Sequence, residues 1–212
     1  MNFFRKAYFP VFLLLFSLAA PGGEEKGQSV PAIKEYDLNI PYKDEATGIV
    51  FPGRMGEFIK RYVRVNANEA IGNAIHYTTG SGISADVYLY LPERKKGEEF
   101  SVLLLRNYNF AKKLIFSMEQ GKKREDMPEK EDVFFREETL SSPLPARIAF
   151  FTFTAGEESY RSVLFMTVVE KEKDFRLVKI RFSCPAELGK EGEKKWGFFR
   201  DRMISLFAPG KK

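Results

Sequence analysis

The sequence is poor in the residues that most often build stabilising or catalytic sites in exported proteins. It has 212 residues and contains one cysteine, Cys184, and one histidine, His76. A single cysteine excludes an intramolecular disulfide. One histidine and one cysteine cannot form a zinc site made of these two residue types. We therefore predict no metal site and no cofactor, and the fold must be stabilised by a hydrophobic core.

Common catalytic motifs are absent too: there is no Gly-x-x-x-x-Gly-Lys phosphate loop, no Gly-x-Gly-x-x-Gly and no calcium loop. Thr79–Gly82 is not a nucleophile elbow, because its serine lies in a predicted hairpin loop and not between a strand and a helix. A Ser–His–Asp triad would have to use His76, with Asp86 to orient it and Ser84 nearby. We predict no catalytic residues; an unrecognised periplasmic hydrolase that uses His76 and Asp86 is the alternative.

The first 20 residues have the pattern of a secretory leader. Arg5 and Lys6 form a basic start, Tyr8–Leu18 is apolar, and small residues follow at positions 19 and 20. This predicts a signal peptide at 1–20 and an exported protein, periplasmic or secreted. A domain tethered to the membrane by an uncleaved leader is the alternative, although the apolar run is shorter than the ~20 residues that span a bilayer.

The rest of the chain divides into a linker and one domain. Residues 21–46 are polar with interspersed glycine and proline, which predicts a flexible linker, and residues 47–208 have the length of a single domain. Loss of Arg5 and Lys6 with the leader lowers the formal net charge from +5 to +3. This balance does not argue for nucleic-acid binding. We predict a protein or another envelope component as the partner.

The stretch Asn73–Leu91 predicts a β-hairpin with a defined register. Apolar and polar residues alternate on both sides of the loop Gly80–Gly82. A three-residue loop places both apolar sets on one face, whereas a loop of two or four residues would separate them. The same register sets His76 directly across from Asp86.

A candidate binding surface follows from this hairpin and from Phe58–Val65. In that strand Lys60, Tyr62 and Arg64 are predicted to share one face. Basic and aromatic side chains interleaved on a strand can hold phosphates or stack on bases, and a solvated strand face is the alternative interpretation. The surface comprises Lys60, Tyr62, Arg64, His76, Asp86, Tyr88 and Tyr90.

Two amphipathic helices are predicted, at Glu98–Gln120 and Glu187–Phe207, from apolar residues at three- and four-residue spacings. Between them, Ala146–Thr154 and Ser162–Val169 are almost continuously apolar, which indicates burial on both faces. We expect these two strands near the middle of the sheet and the hairpin at its flank. Short connections predict a mainly antiparallel sheet with a helix on each face, an α/β/α sandwich of the α+β class.

Three short motifs mark the start and the end of the predicted domain. They are GIVFP at 48–52, KIRFSC at 179–184 followed by Pro185, and RDRMISLF at 200–207. With this layout, the region from Thr47 to the C-terminus resembles the PsbP-like sandwich domains of exported bacterial proteins. The resemblance implies a non-catalytic binding or assembly factor of the cell envelope, and it carries over no ligand residues.

Overall fold

The computed structural model describes residues 32–34, 40–121, 136–140, 145–155, 158–171 and 174–207. The predicted signal peptide lies outside these residues, and so do the linker positions 21–31 and 35–39 and the predicted domain end at 208. Within the described part, no helix is long and apolar enough to cross a membrane.

The described part contains eleven strands and two α-helices. The strands are β1 (Ala32–Lys34), β2 (Tyr42–Lys43), β3 (Val50–Phe51), β4 (Arg54–Met55), β5 (Phe58–Val65), β6 (Asn73–Thr78), β7 (Ser84–Tyr90), β8 (Arg136–Leu140), β9 (Ala146–Ala155), β10 (Glu158–Lys171) and β11 (Asp174–Pro185). The helices are α1 (Phe100–Gly121) and α2 (Gly189–Phe207), with a short 3-10 turn, Ala186–Leu188, before α2. The protein belongs to the α+β class, as the sequence predicts.

The strands form one large antiparallel sheet in the order β1-β5-β6-β7-β11-β10-β9-β8. β4 pairs with β5 beside this path, and β2 and β3 form a separate two-stranded ribbon. The β7–β11 pair joins the strands that precede α1 to those that follow it. The hairpin β6–β7 therefore lies near the middle, and the prediction that it lies at a flank is wrong.

β9 and β10 are buried on both faces, but not because they lie at the centre of the sheet. Along β10, Val163 and Phe165 belong to the core under α2, whereas Leu164 and Met166 belong to the cluster under α1. Both faces are buried because a helix covers each of them at this point, although only β9 and β8 lie beyond β10. A continuous apolar run thus indicates cover on both faces, not the middle of the sheet.

The hairpin register is confirmed. Tyr77 pairs with Ala85, and His76 pairs with Asp86. The Thr79 amide donates to the Ile83 carbonyl at 2.9 Å, which closes the three-residue loop. Gly82 has φ +80°, a conformation that residues with a side chain rarely adopt.

A β-bulge at Arg61 divides β5 into two parts, and the in-and-out alternation of side chains is reversed between them. Lys60 pairs with Tyr77, and Tyr62 pairs with the next residue of β6, His76, so that Arg61 is the extra residue. Lys60 therefore lies fully buried on the α2 face, where its Nζ donates to the Ile40 carbonyl. The prediction that Lys60 shares an exposed face with Tyr62 and Arg64 is wrong for this reason.

Part of the predicted linker belongs to the folded unit. Ala32–Lys34 pairs with Val63–Val65 at one edge of the described sheet. Tyr42 is a core residue, and Asp44 is buried, where its Oδ2 accepts from the Thr47 amide at 2.9 Å. The folded part therefore begins before residue 47.

The two helices cover different parts of the sheet. On the α2 face, Phe199 contacts Phe58, Tyr77 and Phe182, with ring centroids 4.8 to 6.3 Å apart, so that α2 lies over β5, β6 and β11. On the opposite face, the α1 cluster is built from α1, β9, β10 and Leu177 of β11. None of the buried residues of the α1 cluster thus comes from β5, β6 or β7.

Candidate functional site

Strand pairing aligns the side chains of the α1 face in rows that run across the sheet. One row is Tyr62, His76, Asp86, Arg181, Leu164 and Ala149, from β5 to β9. The row changes from polar to apolar between Arg181 and Leu164, where the cluster under α1 begins. We call the part of this face that lies outside the α1 cluster the polar half. It is defined by residues of this row and of the neighbouring row: Tyr62, Arg64, Ala74, His76, Asp86, Tyr88, Lys179 and Arg181.

The neighbouring row is Arg64, Ala74, Tyr88 and Lys179. Ala74 carries only a methyl group and stands directly between the two large side chains Arg64 and Tyr88. Ala74 thus has the smallest side chain of this row.

The row on the other side of the one that contains Asp86 carries hydroxyl groups, and these hold the side chain of Arg181 in place. Ser162 Oγ donates to the Phe182 carbonyl at 2.8 Å, and it accepts from Arg181 Nε at 2.9 Å. The Arg181 guanidinium carbon lies 4.4 Å from the centroid of the Phe151 ring. These contacts hold the guanidinium at the border between the polar half and the α1 cluster.

His76 and Asp86 form a hydrogen-bonded pair, as their predicted cross-strand position suggests. His76 Nδ1 and Asp86 Oδ1 are 2.7 Å apart, and the two side chains are 16% and 12% exposed. The Tyr62 ring stacks on the imidazole, with centroids 4.8 Å apart and an interplanar angle of 15°. The imidazole is therefore held by contacts with both neighbouring strands.

The polar half has more cationic than anionic side chains. Arg64, Lys179 and Arg181 are cationic residues, and Asp86 is the one carboxylate among the residues that define the polar half. Lys179 Nζ lies 4.2 Å from the centroid of the Tyr88 ring. Burial and the nearby Arg181 lower the pKa of Lys179 to about 7, although Asp86 acts in the opposite direction.

The tyrosines of the polar half are held in their neutral form. Burial raises the pKa of Tyr62 and that of Tyr88, and the Asp86 carboxylate raises both further. The Arg64 guanidinium acts in the opposite direction on both pKa values. Both hydroxyls thus remain hydrogen-bond donors at neutral pH, and both lie near the same two charged groups.

Arg64 contributes a donor that is not used. Its Nε is buried and has no hydrogen-bond partner among the described residues. A buried donor without a partner loses its hydration and gains nothing in return. The unused donor belongs to the residue that pairs with Ala74 of β6.

The predicted binding residues divide into three groups. Tyr62, Arg64, His76, Asp86 and Tyr88 lie together in the polar half. Tyr90 ends the same strand, but it packs against the α1 cluster, where burial raises its pKa. Lys60 lies on the α2 face, as described above.

Sequence reasoning missed two functional candidates, Lys179 and Arg181. The alternation in the last strand indicates that Lys179 and Arg181 share a face, which is confirmed. The missing information was the pairing of β7 with β11, which places them beside Tyr88 and Asp86.

Two cavities lie elsewhere. One of about 450 Å³ is lined by Tyr42, Asp44, Asn73 and Arg176, among others. Its polar groups bond one another, since Asn73 Nδ2 donates to Asp44 Oδ1 at 2.9 Å. A second, of about 280 Å³, lies beside Trp196. The described residues contain no group of three or more His, Cys, Asp or Glu that could hold a metal ion.

Comparison with known proteins gives no match to a family model and none to a curated protein.

Proposed function

We propose that the protein is an exported, non-catalytic binding module of the bacterial cell envelope and that the polar half is its ligand surface. One observation carries the proposal: a single sheet face is apolar under α1 and keeps three cationic residues, two tyrosines and a histidine beside it. Placing such groups in fixed rows on a sheet costs free energy that an apolar surface under a helix would not. Tyrosine and arginine are also enriched among the residues that dominate binding surfaces.

The proposed fold family is the PsbP-like α/β/α sandwich. It is supported by the antiparallel sheet, by helices that pack on opposite faces, and by the order of strands and helices along the chain. The proposed partner is a protein or another envelope component. The proposed export rests on the leader, and N-terminal sequencing of the exported protein distinguishes a secreted form from a membrane-tethered form.

The test is in situ crosslinking and capture of the tagged protein from its own envelope fraction. Tyr62→Ala removes an aromatic side chain of the polar half, and we expect it to abolish the capture of the specific partner. Phe110→Ala is the matched control, because Phe110 is an exposed aromatic residue of α1 (57% exposed). Equal capture by the two variants would show that the polar half is not the ligand surface.

A periplasmic hydrolase is the second candidate, and the 2.7 Å contact between His76 Nδ1 and Asp86 Oδ1 favours it. This geometry orients an imidazole as a general base. The candidate nucleophile Ser84 pairs with Thr78, two residues along β6 from His76 and on the same face of the sheet. Hydrolysis of chromogenic esters that is lost in both His76→Asn and Ser84→Ala would establish this function. Activity that persists in either variant would contradict it.

A further inference from the structure

We propose that the cavity beside Trp196 binds a small neutral molecule with an apolar body and one oxygen atom that accepts a hydrogen bond from Trp196 Nε1. The cavity lies on the α2 face of the sheet, between α2 and strands β9, β10 and β11. The polar half lies on the opposite face, so the inference goes beyond the proposed function and does not depend on it. It rests on the walls of the cavity, on an unused donor and on the balance of charge.

Two neighbouring rows of the α2 face contribute the sheet side of this cavity. One row consists of Phe150, Val163 and Phe182, and the next row consists of Thr152, Arg161 and Cys184. Trp196 lines the cavity from α2, and its ring centroid is 5.3 Å from that of Phe182. The volume is about 280 Å³, whereas an apolar cavity of roughly 150 Å³ holds a benzene molecule. The cavity thus has room for one ring with a short substituent.

The unused donor is Trp196 Nε1. Trp196 is 5% exposed, and its Nε1 is buried without a hydrogen-bond partner among the described residues. A buried donor in this state has lost its hydration and gained nothing in return. An indole N–H can only donate, so it requires an acceptor. A bound molecule that carries a carbonyl or ether oxygen supplies this acceptor.

The charges of the lining favour a neutral molecule. Within the described part of the chain, Arg161 and Glu193 are the charged residues that line the cavity, and Arg161 Nη1 lies 3.1 Å from Glu193 Oε1. Their charges offset each other, so the lining offers no excess charge to an ion. Burial raises the pKa of the Cys184 thiol, which therefore stays neutral at neutral pH. A carboxylate would lose its hydration among apolar walls and would be repelled by Glu193.

The test follows the indole N–H signal of Trp196 in proton–nitrogen correlation NMR spectra of the purified protein. Trp196 is the one tryptophan of the chain, so a single indole signal reports on the cavity. The three probes share a cyclohexane ring. Methyl cyclohexanecarboxylate is neutral and carries an acceptor, cyclohexanecarboxylate is charged, and methylcyclohexane has no acceptor. We expect saturable binding of the ester with a downfield shift of the indole proton, weaker binding of methylcyclohexane without that shift, and no comparable binding of the carboxylate.

Trp196→Phe assigns the binding to the unused donor, because it removes the N–H and keeps an aromatic ring in the cavity wall. Calorimetric titration compares the affinities, and we expect the ester to bind the variant about 3- to 10-fold more weakly. Phe198→Leu is the matched control, since Phe198 is a 38% exposed aromatic residue of the same helix and is not among the residues that line the cavity. Circular dichroism and thermal unfolding verify that both variants are folded.

Any of four results would overturn the proposal: no movement of the indole signal with the ester, the same indole shift with methylcyclohexane, binding of the carboxylate as tight as that of the ester, or an equal loss of affinity in Trp196→Phe and Phe198→Leu. An indole signal that moves with protein concentration alone would identify a second copy of the chain as the occupant, which also contradicts the proposal. The NMR titration uses the natural sequence, so it decides the question even if Trp196→Phe does not fold.

Discussion

The two halves of the α1 face carry different kinds of side chain on the same strands. In the row that contains Asp86, Leu164 of β10 and Ala149 of β9 are buried under α1, whereas Tyr62 and His76 remain partly exposed. The strands are continuous across the border, and the pairing is antiparallel throughout. The difference therefore lies in the side chains and in the helix that covers them, not in the backbone.

The comparison separates the residues that stabilise the fold from those that we propose to bind a ligand. Buried apolar side chains under α1 contribute free energy in proportion to the area that they remove from water. Partly exposed ion pairs contribute little by comparison. We thus expect substitutions in the apolar half to act on unfolding, and substitutions in the polar half to act on binding.

The largest expected effect is that of Leu164→Ala. Leu164 is 1% exposed between β10 and α1, so its truncation leaves a cavity and lowers the free energy of unfolding by about 2–5 kcal/mol. Urea unfolding measures the loss, with fluorescence from Trp196, the one tryptophan of the chain, as the signal. The comparison residue in the same row is Tyr62, and Tyr62→Ala should cost much less. Equal losses would show that the two halves do not differ in this way.

A smaller effect, of opposite sign, is expected for Lys179→Met. The pKa of Lys179 is lowered from 10.5 to about 7 in the folded protein, so the unfolded chain binds this proton more tightly. The stability of the wild type therefore falls as the pH drops from about 10.5 to about 7, and the loss is complete below 7. Methionine removes the proton site while it keeps the apolar stem.

We expect Lys179→Met to be more stable than the wild type at pH 6, by ~1 kcal/mol or more, and the advantage to shrink as the pH rises towards 10. Thermal unfolding across this pH range measures it. The control is Lys113→Met, which removes an exposed lysine of α1. A gain that is the same at every pH, or the same in the control, would contradict the prediction.

The smallest expected effect on stability is that of Arg64→Gln. Because Arg64 Nε has no partner among the described residues, its removal costs no hydrogen bond at that atom. The free energy of unfolding should change by less than ~0.5 kcal/mol, and urea unfolding checks this. A large destabilisation would mean that Arg64 serves the fold, which would remove the contrast between the halves.

Local patterns in the sequence predict the hairpin, both helices and the antiparallel sheet. The pair His76 and Asp86 follows from alternation and from the three-residue glycine loop, both of which are local. The position of Lys179 and Arg181 beside them depends on the β7–β11 pair, which joins residues about 90 positions apart. No periodicity reports such a contact, and for this reason the polar half could be predicted only in part.

The error at Lys60 has a cause that the structure shows and the sequence does not. Phe58 and Val63 are both buried on the α2 face, and they are five positions apart. A regular strand places residues an odd number of positions apart on opposite faces, so it cannot bury both on one face. The two apolar residues thus require a change of phase between them, and the bulge at Arg61 supplies it.

The same bulge limits how the length of this strand can vary during evolution. Deletion of Arg61 would restore one continuous alternation along β5. Either Tyr62 and Arg64 would then turn towards α2, or Phe58 would turn away from its contact with Phe199. Substitutions at single positions cannot repair such a frame change. A lineage that keeps both the core under α2 and the polar half is therefore expected to tolerate replacements at position 61 but not the loss of the position itself.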